Sequence, residues 1–328
     1  MNKEELEKVE QLIEQKNSEE LKGLLSEDEY AAARSSTLNA HYTSPTVIRS
    51  IYDAVERMGF HSGNILEPSM GVGNFFGMLP DSMADSRLYG VELDSITGRI
   101  AKKLYPQADI TVAGFETTDR RDFYDLAVGN VPFGQYKVND KAYNKLGFSI
   151  HNYFFAKAID QVRPGGIVAF VTSRYTMDSK DSTARKHMAE RADLLGAIRL
   201  PNNLFTDGAG TEVGSDLIIL QKKSDKTEPL TDDEHAFIAS SPRPEGFSTN
   251  DYIFRNIPII HTKASVDTDP YGHPAMVYIH EGGLPGITSQ LRSLLRNDFH
   301  RRLNVPLYQQ FLPLEEQQRR AQAPHTQQ

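Results

Sequence analysis

The feature that most constrains this chain is a succession of short apolar segments between residues 64 and 223, most of them separated by stretches of helical character. They are "NILEP" (64–68), "LYGVEL" (88–93), "DITVAG" (109–114), "DLAVGN" (125–130), "GIVAFVTS" (166–173), "LLGAIRL" (194–200) and "DLIILQKK" (216–223). Several are continuously apolar rather than alternating, which suits strands covered on both faces. Residues 95–104 and 152–163 read as intervening helices, and "TSPTVIRSIYDAVERM" as a helix with Pro45 in its first turn. Seven strands interleaved with helices predict the α/β class, a Rossmann-like seven-stranded doubly wound sheet over residues 36–224.

The flanks differ in character. Residues 1–35 read as a helical N-terminal segment, with Leu6, Val9, Leu12 and Ile13 at helical spacing. Residues 225–315 read as a small mixed accessory region. It opens with a polar linker, "SDKTEPLTDDEHAFIASSPRPEGFSTND", and contains one helix, "GITSQLRSLLRNDFHRRL" (286–303). The polar tail 316–328 is expected to be disordered.

Cysteine is absent from all 328 residues, which removes disulfides, thiolate metal sites and any cysteine nucleophile. No apolar run reaches membrane-spanning length and the N-terminus is acidic, so no membrane association and a cytoplasmic location are expected. The net charge of −8 is concentrated in residues 1–30, which hold ten acids against four lysines. The rest of the chain is close to neutral and carries basic stretches, so overall acidity does not exclude a nucleic-acid partner.

Three motifs carry chemistry. "NILEPSMGVGNFFGML" places Glu67, then Gly71 and Gly73, at a strand-to-helix turn, where glycines let a ligand approach the backbone. Without a Gly-Lys-Ser/Thr element a phosphate cradle is disfavoured, and the preceding acid suits an ammonium or sulfonium group. The second strand ends in Glu92, at the position from which an acid hydrogen-bonds ribose hydroxyls in dinucleotide folds. The fourth strand ends in Asn130-Val131-Pro132-Phe133, which offers an amide, a stiffened backbone and an aromatic ring together across the switch point. Two acceptors aimed at the N–H bonds of an exocyclic amine free its lone pair, and an aromatic face can stack a flipped-out base.

"EPSMGVGNF", "GVELD" and "GNVPFG", in that order, resemble the motifs of S-adenosylmethionine-dependent N6-adenine DNA methyltransferases, including type I restriction-modification subunits and mobile-element methylases. "NAHYTSP" resembles the family's short segment that closes over the cofactor, and the likeness extends over residues 36–223. The resemblance assigns cofactor contacts to Tyr42, Thr43, Glu67, Pro68, Ser69, Gly71, Gly73, Asn74, Glu92, Leu93, Phe115 and Glu116, and catalysis to Asn130, Val131, Pro132 and Phe133. Val131 departs from the family's usual proline. It keeps the backbone carbonyl the family uses, and Pro132 still confines it to extended conformations.

The basic, aromatic stretch 134–150 makes Tyr136, Lys137, Lys141, Tyr143 and Lys145 candidate DNA contacts, joined by Arg174 from a second basic stretch, 173–191. The missing cysteine excludes methylation at cytosine C5. Cytosine N4, RNA adenine, a protein glutamine amide and a degenerate binding subunit stay open beside adenine in DNA. Residues 225–315 are few for reading a long site, so short specificity or a separate specificity, helicase or nuclease component is expected. His280-Glu281 lacks a second ligand pair, so no metal is expected.

Overall fold

The computed structural model describes residues 43–205, 213–269, 272–297 and 303–310. The expected N-terminal helices, Tyr42 and the tail 316–328 lie outside the described residues. Seven strands form one sheet: β1 (Asn64–Glu67), β2 (Arg87–Glu92), β3 (Asp109–Val112), β4 (Tyr124–Asn130), β5 (Val162–Ser173), β6 (Ala192–Leu200) and β7 (Ser215–Lys222). Their order is β3-β2-β1-β4-β5-β7-β6, with β7 antiparallel to both neighbours and the other pairings parallel. The order reverses between β1 and β4, so a crevice opens beyond their C-terminal ends.

Alternation along the central strands shows why they read as continuous apolar runs. Leu126, Val128, Ile167, Ala169 and Val171 enter one core, whereas Ala127, Val168 and Phe170 enter another on the opposite face. The first core is capped by α1 (Pro45–Arg57), whose N-cap is Ser44 and whose Val47, Ile48, Ile51, Tyr52 and Val55 are buried. Next come α2 (Asn74–Gly77), α3 (Ser95–Leu104) and α4 (Ile150–Gln161), the last covering the second core through Phe154, Phe155 and Ile159. Each fully buried side chain of this size contributes about 1.5–3 kcal/mol, so the two layers hold the sheet flat against its helices.

Two short helices, α5 (Tyr175–Asp178) and α6 (Thr183–Ala189), link β5 to β6. The segment read as a polar linker is instead built into the fold. It forms α7 (Asp232–Ile238), a β8 (Ser240–Pro242) and β9 (Ser248–Asn250) hairpin, and α8 (Asp251–Asn256). The Thr231 side chain and Glu234 form a capping box at the start of α7, and buried Glu234 also takes the Lys226 ammonium. Asn250 donates from its side-chain amide towards three carbonyls, those of Met177, Phe237 and Ala239. A second hairpin, β10 (Lys263–Thr268) and β11 (Pro274–Ile279), follows.

The expected C-terminal helix begins earlier than the sequence suggests, as α9 (Gly283–Asn297), and Leu303 lies past it in a bend. Ile287, Leu291 and Leu295 face the first core, and Thr288 meets Thr46 of α1 at 3.1 Å. The last described helix, α10 (Val305–Gln310), follows Asn304, which exchanges hydrogen bonds with the Gln221 side chain of β7 (2.8 and 3.1 Å).

Candidate active site

β1 delivers Glu67 to the crevice, and the turn after it is shaped by backbone as much as by side chains. Gly71 and Gly73 have φ of 56° and 90°, values that glycine adopts without strain. A Cβ on Gly73 would stand 2.5 Å from the Tyr105 ring, whereas one on Gly71 would meet nothing within 4 Å. Gly71 thus presents its backbone to open space.

Glu92, at the end of β2, reaches back across the sheet. Its Oε2 accepts from the Gly71 N–H (2.8 Å) and its Oε1 from the Asp94 N–H (2.7 Å), which ties the two motifs together. Burial pushes the Glu92 carboxyl up, and these N–H groups oppose that rise. Glu67 is 2 % exposed, and its Oε2 has no hydrogen-bond partner among the described residues. Burial, and then the neighbouring Glu92 charge, hold its carboxyl well above the usual glutamate range. In this environment the neutral, protonated carboxyl of Glu67 is favoured over the anion. Thr43 adds a second buried, unpartnered oxygen, its Oγ1.

The remaining cofactor candidates take distinct positions. Pro68 is buried, and Ser69 and Asn74 are half-buried in the turn. Leu93 is 76 % exposed, the most exposed large apolar side chain among the described residues. Phe115 is buried with its ring centroid 4.9 Å from that of Phe154, while Glu116 is exposed.

β4 carries the tetrapeptide to the same edge. Half-buried Asn130 pairs with Val171 of β5, and the Val131 N–H donates to the Val171 carbonyl at 3.0 Å. Valine therefore extends the strand pairing by one residue, which a proline could not. Phe133 is buried rather than displayed, its ring edge-to-face with Phe205 at 6.4 Å. Phe205, from a short turn after β6, is a buried core partner of Phe133 that sequence spacing does not reveal.

The loop 134–149 is pinned, not loose. Asp140 accepts from Lys157 Nζ and Tyr153 Oη, both at 2.8 Å, and the Tyr143 hydroxyl donates to Asp160 at 2.7 Å. Burial would raise the Asp140 carboxyl, but Lys157 and Tyr153 outweigh it and hold it low. Tyr143 is thereby a buried framework residue, whereas Tyr136, Lys137, Lys141 and Lys145 are exposed.

The second basic stretch is largely internal. Arg174 is buried and bonded to Asp269 (2.8 Å), with its guanidinium over the Tyr175 ring, so it is corrected from a DNA contact to a structural group. Arg185 is buried too, donating to the carbonyls of Ile238, Thr176 and Ser179, and burial lowers its pKa to about 10. Lys180, Lys186 and Arg191 stay exposed. Among the described residues no group of three or more His, Asp or Glu is arranged to hold a metal. No helix is long and apolar enough to cross a membrane among them.

Residues 23–266 match the family described as N-6 DNA Methylase. The chain is 29 % identical over 193 residues to "Defense against restriction protein B" of Escherichia phage P1, covering 57 % of this chain and 8 % of that protein. It is 28 % identical over 189 residues to "Type II methyltransferase M.CvrRI" of Paramecium bursaria Chlorella virus XZ-6E, covering 56 % and 48 % respectively. It thus spans less than half the length of these relatives. Among solved structures, a modification subunit of a putative type I restriction enzyme from Vibrio vulnificus YJ016 superposes with a TM-score of 0.48 at 17 % identity, covering 71 % of this chain and 64 % of that one. The type I restriction-modification methyltransferase subunit from Streptococcus thermophilus gives 0.48 and 17 %, covering 67 % and 58 %. The matched span covers well over half of the chain, which therefore belongs to the N-6 DNA methylase family.

Proposed function

We propose that this protein transfers a methyl group from S-adenosylmethionine to the exocyclic N6 of adenine in DNA. The observation that carries the reading is the convergence of buried Glu67, whose Oε2 has no partner among the described residues, the Gly71–Gly73 turn and Glu92 with Asn130–Phe133 at the C-terminal ends of neighbouring strands. The cofactor fits this donor set. Glu67 supplies an anion for its ammonium or sulfonium end, Gly71 an open backbone, and Glu92 spare lone pairs for ribose hydroxyls. Thr43 and exposed Leu93 complete the cradle. When bound, S-adenosylmethionine supplies a methyl on a sulfonium sulfur that is open to direct displacement.

The chain's own residues then position and polarise the target. The Asn130 side-chain oxygen and the Val131 carbonyl accept the two N6–H bonds, which shifts the lone pair from the ring towards nitrogen. Phe133, braced from behind by buried Phe205, is the aromatic side chain nearest to where a flipped base would be held. These contacts would hold the nitrogen lone pair in line with the methyl that the cofactor would supply, the carbon–nitrogen bond forming as the carbon–sulfur bond breaks and one amine proton passing to water, so the residues contribute positioning plus preorganised hydrogen bonds. Exposed Lys137, Lys141 and Lys145 neutralise DNA phosphates. The names of the relatives support a methyltransferase at work in restriction and its avoidance, where a separate specificity or helicase/nuclease component supplies site choice, in the cytoplasm.

The test is transfer of tritiated methyl from S-adenosylmethionine to mixed genomic DNA. Label recovered as N6-methyladenine, and reduced about 100-fold or more by Asn130→Ala, is the expected result. Label in cytosine N4, or transfer that survives the substitution, overturns the assignment.

A further inference from the structure

Beside the tetrapeptide, loop 134–149 and the start of α4 enclose two cavities of about 290 Å³ each, with Lys137, Leu146, Gly147 and Phe148 in both walls. The second runs from Gln135 and Phe148, past His151 and Asn152, to Tyr175 and Asp181. One polar atom of a lining residue is left over by the fold. His151 is 1 % exposed and held by the Ser149 hydroxyl (3.0 Å from Nε2) and the Gly134 backbone. The Asn152 Oδ1 is buried and has no hydrogen-bond partner among the described residues. Leaving a buried polar atom unpaired is costly, so its retention on a residue that lines a cavity points to a ligand.

The chemistry of the walls narrows that ligand. Lys137 and Asp181 stand in one lining, so a phosphate meets an acid as well as a base. Burial lowers the His151 pKa to about 4, which leaves a neutral imidazole at ordinary pH. Amides, a neutral imidazole and the Phe148 and Tyr175 rings suit a flat, uncharged group with donors and acceptors on its edge. Phe148 is itself braced, its ring edge-to-face with His187 at 5.5 Å. Because buried Asp140 pins the loop to Lys157 and Tyr153, the cavity is preformed and its occupant does not have to order it.

We propose that this cavity receives the base of the nucleotide next to the target, giving the enzyme a flanking-base preference of its own. The inference rests on the DNA reading above and deepens it. Gln135 and Asn152 are its edge-reading residues and Phe148 its stacking face.

The experiment uses a duplex pool with one fixed adenine between randomised flanks, either intact or with an abasic position immediately 5′ or 3′ of that adenine. Affinity for the full chain is measured by fluorescence anisotropy without methyl donor, for wild type, Gln135→Leu and Asn152→Leu. Melting temperatures establish that the variants are folded. One of the two abasic pools is expected to bind wild type about tenfold more weakly, a loss that shrinks to less than twofold in the variants. Equal losses in wild type and variants, or none for either neighbour, overturn the inference. Tritiated methyl transfer to the intact pool reports the proposed reaction separately. Transfer without a neighbour effect refutes the pocket alone, and absence of both DNA binding and transfer refutes the two together.

Discussion

Replacing Glu67 by glutamine should make the free protein more stable while disabling its proposed site. Glu67 is 2 % exposed, has an unpartnered Oε2 and lies near the charge of Glu92. In the unfolded chain its carboxyl ionises at the ordinary glutamate value, whereas in the folded protein ionisation is postponed to a higher pH. The folded state therefore binds the extra proton, and wild type loses stability as pH climbs from the ordinary value through the folded one. Glutamine keeps the volume and removes the anion, so the gap between variant and wild type opens over that window. An unsatisfied buried acceptor costs about 1–3 kcal/mol, and more when charged. For a chain of this size that corresponds to roughly 2–6 °C in melting temperature. Calorimetry of both ligand-free proteins at pH 5 and pH 8 measures it. A variant that melts below wild type at pH 8, or a difference identical at the two pH values, refutes the reasoning.

Breaking the buried Asp140–Lys157 pair from one side, by Asp140→Asn or Lys157→Met, is expected to cost about 3–5 kcal/mol in urea denaturation, with the double variant recovering part of the loss. Val131→Pro would restore the family's usual residue but remove the N–H donated to Val171, so a loss of about 1 kcal/mol is expected by the same assay. Lys137→Ala, Lys141→Ala and Lys145→Ala should each flatten the dependence of log affinity for DNA on log salt concentration by about 1. Arg174→Gln should destabilise the fold and leave that slope unchanged, because the guanidinium is engaged by Asp269.

What was legible in the sequence follows from what is local. The seven strands announced themselves because burial on both faces demands unbroken apolar runs, and Glu67, Gly71 and Glu92 sit at strand ends that those runs define. Burial of charge was not legible. Arg174 reads as a surface base because its partner, Asp269, lies 95 residues on, and Arg185 because its partners are carbonyls. Phe205 was missed for the same reason, since only the folded sheet brings it to Phe133. The helix at Asp232–Ile238 could have been found. Thr231 and Glu234 spell a capping box, set in a proline- and acid-rich stretch whose composition by itself points to a linker. Val131 shows a motif letter exchanged while its mechanical duty passes to a neighbouring strand.

The contact between Thr46 and Thr288 spans 242 residues, so the helix that opens the described chain is covered by one made far later. At synthesis rates of about 5–20 residues per second, a separation of 242 residues means that the apolar flank of Pro45–Arg57 waits on the order of 10–50 s before the covering helix is made. That is long compared with collapse or hairpin formation, which finish within microseconds to sub-millisecond times. Until then the buried face of Pro45–Arg57 that the later helix covers stays open to solvent, so closing the first core is a long-range step rather than a local one.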